Sequence, residues 1–311
     1  MTHLSSESPD THSTEFSHST HADDTIRSTH SRRAVLRRAA LITGAVGAAT
    51  VPAVFAVQQA SAATSVDMEL TVVAAMVDPP RTGTGITLTA GPSVTAVEGA
   101  LRDKGFLGGS LVDGHYGTST ITAYSAWQKS LGYTGLDANG LPGPTSLTKL
   151  GEAEGFTVTR KVSVGANNAS YGGKRVNART RAMLVAADAK LSWSLTLTQG
   201  SYTPGNPDSA GTHDGGGVVD IAVGSMSATQ RWQTVKALRD VGFAAWLRTP
   251  EQGFSYHIHA NAVADTDMAG VAQAQVHDCF FGKNGLASHA ADNTPSAYRG
   301  SFTWWEKYNR G

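Results

Sequence analysis

The chain carries a single cysteine, Cys279. An internal disulfide is therefore excluded, and stability must come from an apolar core, a metal, or both. An excess of one charge is missing as well: 25 basic and 25 acidic residues cancel among 311. That balance argues against nucleic acid or an anionic membrane surface as the main partner. The length suffices for two compact domains with extensions.

Apolar residues are scarce in the first stretch, "MTHLSSESPDTHSTEFSHSTHADDTIRSTH". It cannot bury enough surface to offset its chain entropy, which predicts disorder. Five of the eleven histidines lie there, too irregularly spaced to favour a metal-binding tail. Next come Arg32 and Arg33, an Ala- and Gly-rich apolar run broken by Pro52, and the small residues "ASA" at 60–62. This pattern resembles a twin-arginine export signal cleaved near Ala62. The run is short for a membrane anchor, so no stable anchor is expected after cleavage. Removing residues 1–62 takes away five basic and five acidic residues and leaves twenty of each. The mature chain is expected to be neutral and secreted or held at the cell wall.

Residues 63–90, Val- and Thr-rich and ending in "VDPPRTGTG", read as a linker. In 91–157 the periodicity changes. Val94, Val97 and Leu101 fall at helical spacing after a Ser93 cap. A second helix holds Ile121, Tyr124 and Trp127, and a third starts near Pro144 and holds Leu147 and Leu150; each follows a glycine-led turn. The paired pattern "DGHYGTST…AYSAWQKSLGY…LDANGLPGPTSLTKL" resembles the three-helix bacterial peptidoglycan-binding domain. The resemblance covers nearly all of 91–155 and implies binding of glycan strand or stem peptide between helices. Trp127 lies on the apolar stripe and belongs to the core. Tyr116 and Tyr133, beside turns, are candidate substrate-binding residues.

Residues 158–290 alternate between helix and strand patterns, an α+β class with a mainly antiparallel sheet. "NARTRAMLVAADAKL" is an amphipathic helix capped by Asn177, and "SATQRWQTVKALRDVGF" a helix capped by Ser227 and stopped at Gly242. "WSLTLTQGSY", "GGVVDIAV", "AAWLRT" and "YHIHANAVA" read as strands. "AGVAQAQVHDCFFGKNGL" is a last helix, followed by a C-terminal extension, 291–311, whose Trp304 and Trp305 are expected to pack on the core.

Six histidines remain beyond the signal, and three sit in two short motifs, "THDGGGVVD" and "SYHIHA". In a strand, His257 and His259 face the same side. Glycines 215–217 allow a sharp bend that brings His213 over the strand carrying Asp220. A catalytic zinc site needs three such ligands and one open position. His115 reads as a turn residue, His277 and His289 as surface or packing residues, and Asp188 and Asp240 as solvated helix faces. Together the two motifs resemble the zinc D-Ala-D-Ala peptidases and their lysostaphin and hedgehog relatives. That resemblance, over roughly 176–290, implies zinc (Zn2+) held by His213, Asp220 and His259, with His257 as a catalytic histidine.

Members of that family often hold an acid three residues before the last zinc histidine; here the position is Tyr256, a poor base at neutral pH. His257 is then the first candidate for the base, with Glu251 or Asp214 able to reach in from loops. Gln199 occupies the place of a carbonyl-steadying residue, with Ser201 and Tyr202 nearby; strand-end hydrogen bonding is the equal alternative. The expected function is a secreted zinc peptidase that hydrolyses stem or cross-link peptides of peptidoglycan. The alternatives are a non-catalytic peptidoglycan-binding protein with a degenerate zinc-peptidase fold, and a catalyst on another peptide.

Overall fold

The computed structural model describes residues 64–80 and 89–311; the expected disordered tail and export signal at 1–62 lie outside them. The described chain is α+β, and among its residues no helix is long and apolar enough to cross a membrane.

Residues 64–77 correct the linker expectation. Strand β1 (Thr64–Asp67) pairs in parallel with β2 (Phe156–Thr159), and helix α1 (Met68–Val77) follows at once. Asp67 caps α1 by accepting from the Leu70 N–H at 3.1 Å. Val and Thr are weak helix formers, but Val72, Met76 and Val77 are fully buried, and each such side chain stabilises by about 1.5–3 kcal/mol. Burial overrides local propensity.

Helices α2 (Gly91–Asp103), α3 (Thr118–Ser130) and α4 (Pro144–Glu154) form the expected trio. Ser93 does not cap α2, which starts two residues earlier; its hydroxyl accepts from the Asp67 N–H at 3.0 Å. Buried Glu98 ties the "DGH" turn to α2, accepting from the N–H groups of Asp113 and Gly114 at 3.0 and 2.8 Å. Trp127 is buried as expected and donates to the Ser146 carbonyl at 3.0 Å.

Beyond β2 come a hairpin of β3 (Ala169–Tyr171) and β4 (Lys174–Val176), then α5 (Ala178–Asp188) with its Asn177 cap. Strands β5 (Leu197–Gln199), β6 (Val218–Ala222), β7 (Phe243–Arg248) and β8 (His257–Ala262) make one antiparallel sheet in the order β5-β6-β8-β7. Helix α6 (Ala228–Asp240), with a Ser227–Gln230 capping box, connects β6 to β7. Helix α7 (Gly270–Phe280) and the short α8 (Ser296–Arg299) and α9 (Trp305–Arg310) complete the chain.

Strand alternation gives the sheet two unlike faces. Val219, Ile221, Phe243, Ala245, Leu247, Ile258 and Ala260 pack with Met183 and Leu184 of α5 and Val235 and Leu238 of α6. On the opposite face Val218, Ala244 and Trp246 join a core that includes Ala272 and Val276 of α7, α1 and the helical trio. Asn139, in the glycine turn before α4, donates across to the carbonyls of Thr266 and Met268 at 2.8 and 3.1 Å. That second face also carries Asp220, Arg248, His257 and His259. Trp304 and Trp305 are partly buried against the two cores, and the Trp304 indole donates to Glu69 of α1.

Candidate metal centre

Register places Gln199, Asp220, His259 and Trp246 in one row across the four strands. His257 lies in the adjacent row, between Ala222 and Arg248. His213 reaches the row from the loop before β6. Gly217 has φ +80°, and a Cβ there would lie 2.7 Å from the Asp265 Cβ. At Gly215 a Cβ would lie 2.3 Å from the Asp267 carbonyl oxygen. The glycines therefore serve two ends, a left-handed bend and a close approach to the chain at 265–269.

His213, Asp220 and His259 each offer a ligand atom, all within 4.8 Å of one another. His213 Nε2 lies 3.3 Å from Asp220 Oδ2, and His259 Nδ1 lies 2.8 Å from Asp220 Oδ1. The outward nitrogens of both rings act as donors. His213 Nδ1 is 2.9 Å from the Gly200 carbonyl, which can only accept. His259 Nε2 is 2.9 Å from Gln275 Oε1. The amide is oriented from both ends, since Asn261 Nδ2 donates to the same oxygen at 2.8 Å and Gln275 Nε2 donates to the Gly285 carbonyl at 2.9 Å. Both inward nitrogens therefore face the Asp220 carboxylate, where a proton on each ring or one shared metal cation closes the contacts. Such outer hydrogen bonds are the usual support of metal-binding histidines. The donor set fits a divalent metal ion of nitrogen and oxygen preference.

Burial raises Asp220, but hydrogen bonds from the His213 and His259 rings and their charges outweigh it and hold the carboxyl far below the usual range, so the acid offers a carboxylate to whichever cation, proton or metal, lies between them. Burial pushes His259 down, toward the neutral form that a metal requires, against the raising effect of Asp220.

The centre opens into a cleft of about 690 Å³. His257 lines it, its Nδ1 2.8 Å from the Ser255 carbonyl and its Nε2 4.0 Å from Asp220 Oδ1. Gln199 also lines it and donates to Thr203 Oγ1 at 2.9 Å. Tyr256 does too, with the Arg231 guanidinium 3.7 Å from its ring centroid.

Other candidates lie elsewhere. Glu251 is exposed on a 3-10 turn, Pro250–Gln252, and neither it nor Asp214 lines the cleft. Tyr202 sits behind the glycine loop, donating to Asp267 Oδ2 at 2.7 Å, so it braces the loop and does not face substrate. Ser201 is buried and donates to the Val218 carbonyl at 2.7 Å, the strand-end role. Tyr116 is fully buried and donates to the Gly140 carbonyl at 3.2 Å, which removes it as a binding residue. Tyr133 is partly exposed and lines a separate cleft of about 320 Å³ beside the turn that leads into α4.

Three residues at the centre or its cleft were not singled out from the sequence. Gln275 carries no motif, because only α7 packing brings it to His259. Trp246 stacks on the His259 ring at 6.4 Å. Arg248 did leave a signal: it is the one charged residue in the strand "FAAWLR", all six residues of which are buried. Compared with known proteins, the chain matches no family model and no curated protein.

Proposed function

We propose that the protein is a zinc-dependent peptidase acting on stem or cross-link peptides of bacterial peptidoglycan. In this reading it is exported by the twin-arginine route and held at the wall by the helical trio, whose open cleft beside Tyr133 would take glycan or peptide. The observation that carries the reading is the convergence of His213 Nε2, Asp220 and His259 Nδ1, each ring anchored by its outward nitrogen, with His257 Nε2 beside them.

Zinc held by His213, Asp220 and His259 would supply Lewis-acid polarisation of a scissile carbonyl and a water acidified to near neutral pH. The remaining work falls to the chain. His257 donates its Nδ1 proton to the Ser255 carbonyl, so its Nε2 lone pair faces the cleft. It takes the proton of the attacking water and passes it to the leaving amine. Gln199 swings its amide from Thr203 to the carbonyl oxygen, where developing negative charge strengthens the bond. Trp246 and Phe254 flank the two strand histidines and limit their motion.

One observation favours the non-catalytic alternative. Tyr256 stands where an acid is expected, its ring covered by Arg231, and apart from Asp220 the only carboxylate lining the cleft is exposed Asp208. Purified peptidoglycan separates the two. The peptidase reading expects new free amino groups, as released amino acid or peptide or on the wall itself, from wild type and none from His257→Ala, with both proteins sedimenting with the wall. Zinc-loaded wild type that binds the wall and generates no new amino groups across pH 5–9 would establish the binder instead.

A further inference from the structure

Arg248 is 2% exposed, and it lines the cleft together with Asp220 and His257. Its Nη1 donates to the Asn284 carbonyl at 2.6 Å, and its Cζ lies 5.2 Å from the Trp246 ring centroid. Its Nη2 has no hydrogen-bond partner among the described residues. Burying a cation is costly, and an unmet charged donor adds to that cost. The acids acting on this guanidinium are Asp220 and Asp292, and both are committed elsewhere. Asp292 pairs with Arg239 at 2.9 Å, and Asp220 faces His213, His257 and His259. A dication on Asp220 leaves Arg248 still less compensated. The positive charge remains at neutral pH even though burial pushes the guanidinium down to about 10.

Strand register puts this unmet donor beside the residue assigned the proton transfer, because Arg248 and His257 are direct partners on one sheet face. A planar fork with a free arm suits a carboxylate better than a carbonyl or a hydroxyl. Resting on the peptidase reading above, we propose that Arg248 forms a carboxylate subsite of the cleft, so that the cleaved peptide carries a free carboxylate close to the scissile bond. Stem peptides hold that group in two places, the C-terminus and an internal acidic residue, and both offer the same chemistry.

The test uses zinc-loaded protein and three synthetic stem pentapeptides: the free acid, a form amidated at the C-terminal carboxyl, and a form amidated at the internal acid. The amide that lacks the engaged carboxylate should show a KM at least about tenfold higher than the free acid, the size expected for a lost charge-assisted bond. Which amide it is names the source. In Arg248→Gln the acid-to-amide ratio should collapse toward one, and Arg248→Lys should recover part of it. Zinc content and melting temperature confirm that each variant folds; where one does not, the wild-type series decides alone. Equal cleavage of all three peptides by wild type, or an unchanged ratio in folded Arg248→Gln, overturns the subsite and leaves the peptidase reading standing. No cleavage of any peptide overturns both.

Discussion

Asp220 follows the glycine loop in β6 and Asp265 packs against Gly217 of that loop, yet their carboxyl groups behave oppositely. Asp220 meets three imidazoles and is held ionised. Asp265 meets the Asn177 amide at 2.7 Å and the Thr180 hydroxyl at 3.2 Å. Burial pushes it up to about 6 against the lowering effect of Arg179, and neighbouring Asp267 adds to the rise. Burial alone therefore does not make a site. An acid is suited to hold a cation where its neighbours present imidazole nitrogens that a proton or a metal can bridge to it, and is a structural tie where they present neutral N–H and O–H donors.

Substitution of the two acids should break this comparison most sharply. On the proposed ligand set, Asp220→Asn should abolish zinc binding, measured as metal per chain after zinc loading and dialysis, while Asp265→Asn should keep about one zinc. Equal retention by both would remove Asp220 from the ligand set. The glycine loop comes next. Gly217→Ala must adopt φ +80° with its Cβ 2.7 Å from that of Asp265, and a loss of about 3 kcal/mol is expected in urea unfolding. A loss below about 1 kcal/mol would show that the loop yields easily.

The pH dependence of Asp265 has a definite sign. Its folded pKa of about 6 exceeds the unfolded value near 3.9. The folded state holds the proton more tightly, so stability contributed below about pH 4 is lost as pH rises toward 6. The loss is about 3 kcal/mol at neutral pH. Unfolding of wild type against Asp265→Asn from pH 4 to 8 isolates it, and parallel curves would contradict the assignment. The smallest effect belongs to the outer support of the metal centre. Gln275→Leu should weaken zinc about 10- to 100-fold in chelator competition, with the fold intact. Unchanged affinity would mean that His259 keeps its tautomer without help.

Much of the α+β half was legible because its signals are local. Asn177 and Ser227 cap their helices by hydrogen bonds three residues away, and the spacing of His213, Asp220, His257 and His259 singled out the centre. Tyr116 and Tyr202 misled for a shared reason. Aromatic residues beside turns have a polar tip that suits a ligand and a buried carbonyl or carboxylate equally well, and here the internal partner prevails in both. Residues 64–77 misled because their partners are remote: β2 is about ninety residues on, and His277 of α7 meets the Val77 carbonyl at 2.7 Å across 200 positions.

By itself, then, the sequence determined the three helices of 91–155 and the main helices and strands of 177–280, though not the short strands β2, β3 and β4, and which residue types could gather at a metal, because periodicity, caps and glycine conformations act within a few residues. Tertiary structure alone decided that 64–77 is core, that Glu251 and Tyr202 stand apart from the cleft, and that Gln275 and Arg248 join it. Those outcomes depend on which sheet face the helices cover and on which buried donors and acceptors find each other, and neither is written in any short stretch of chain.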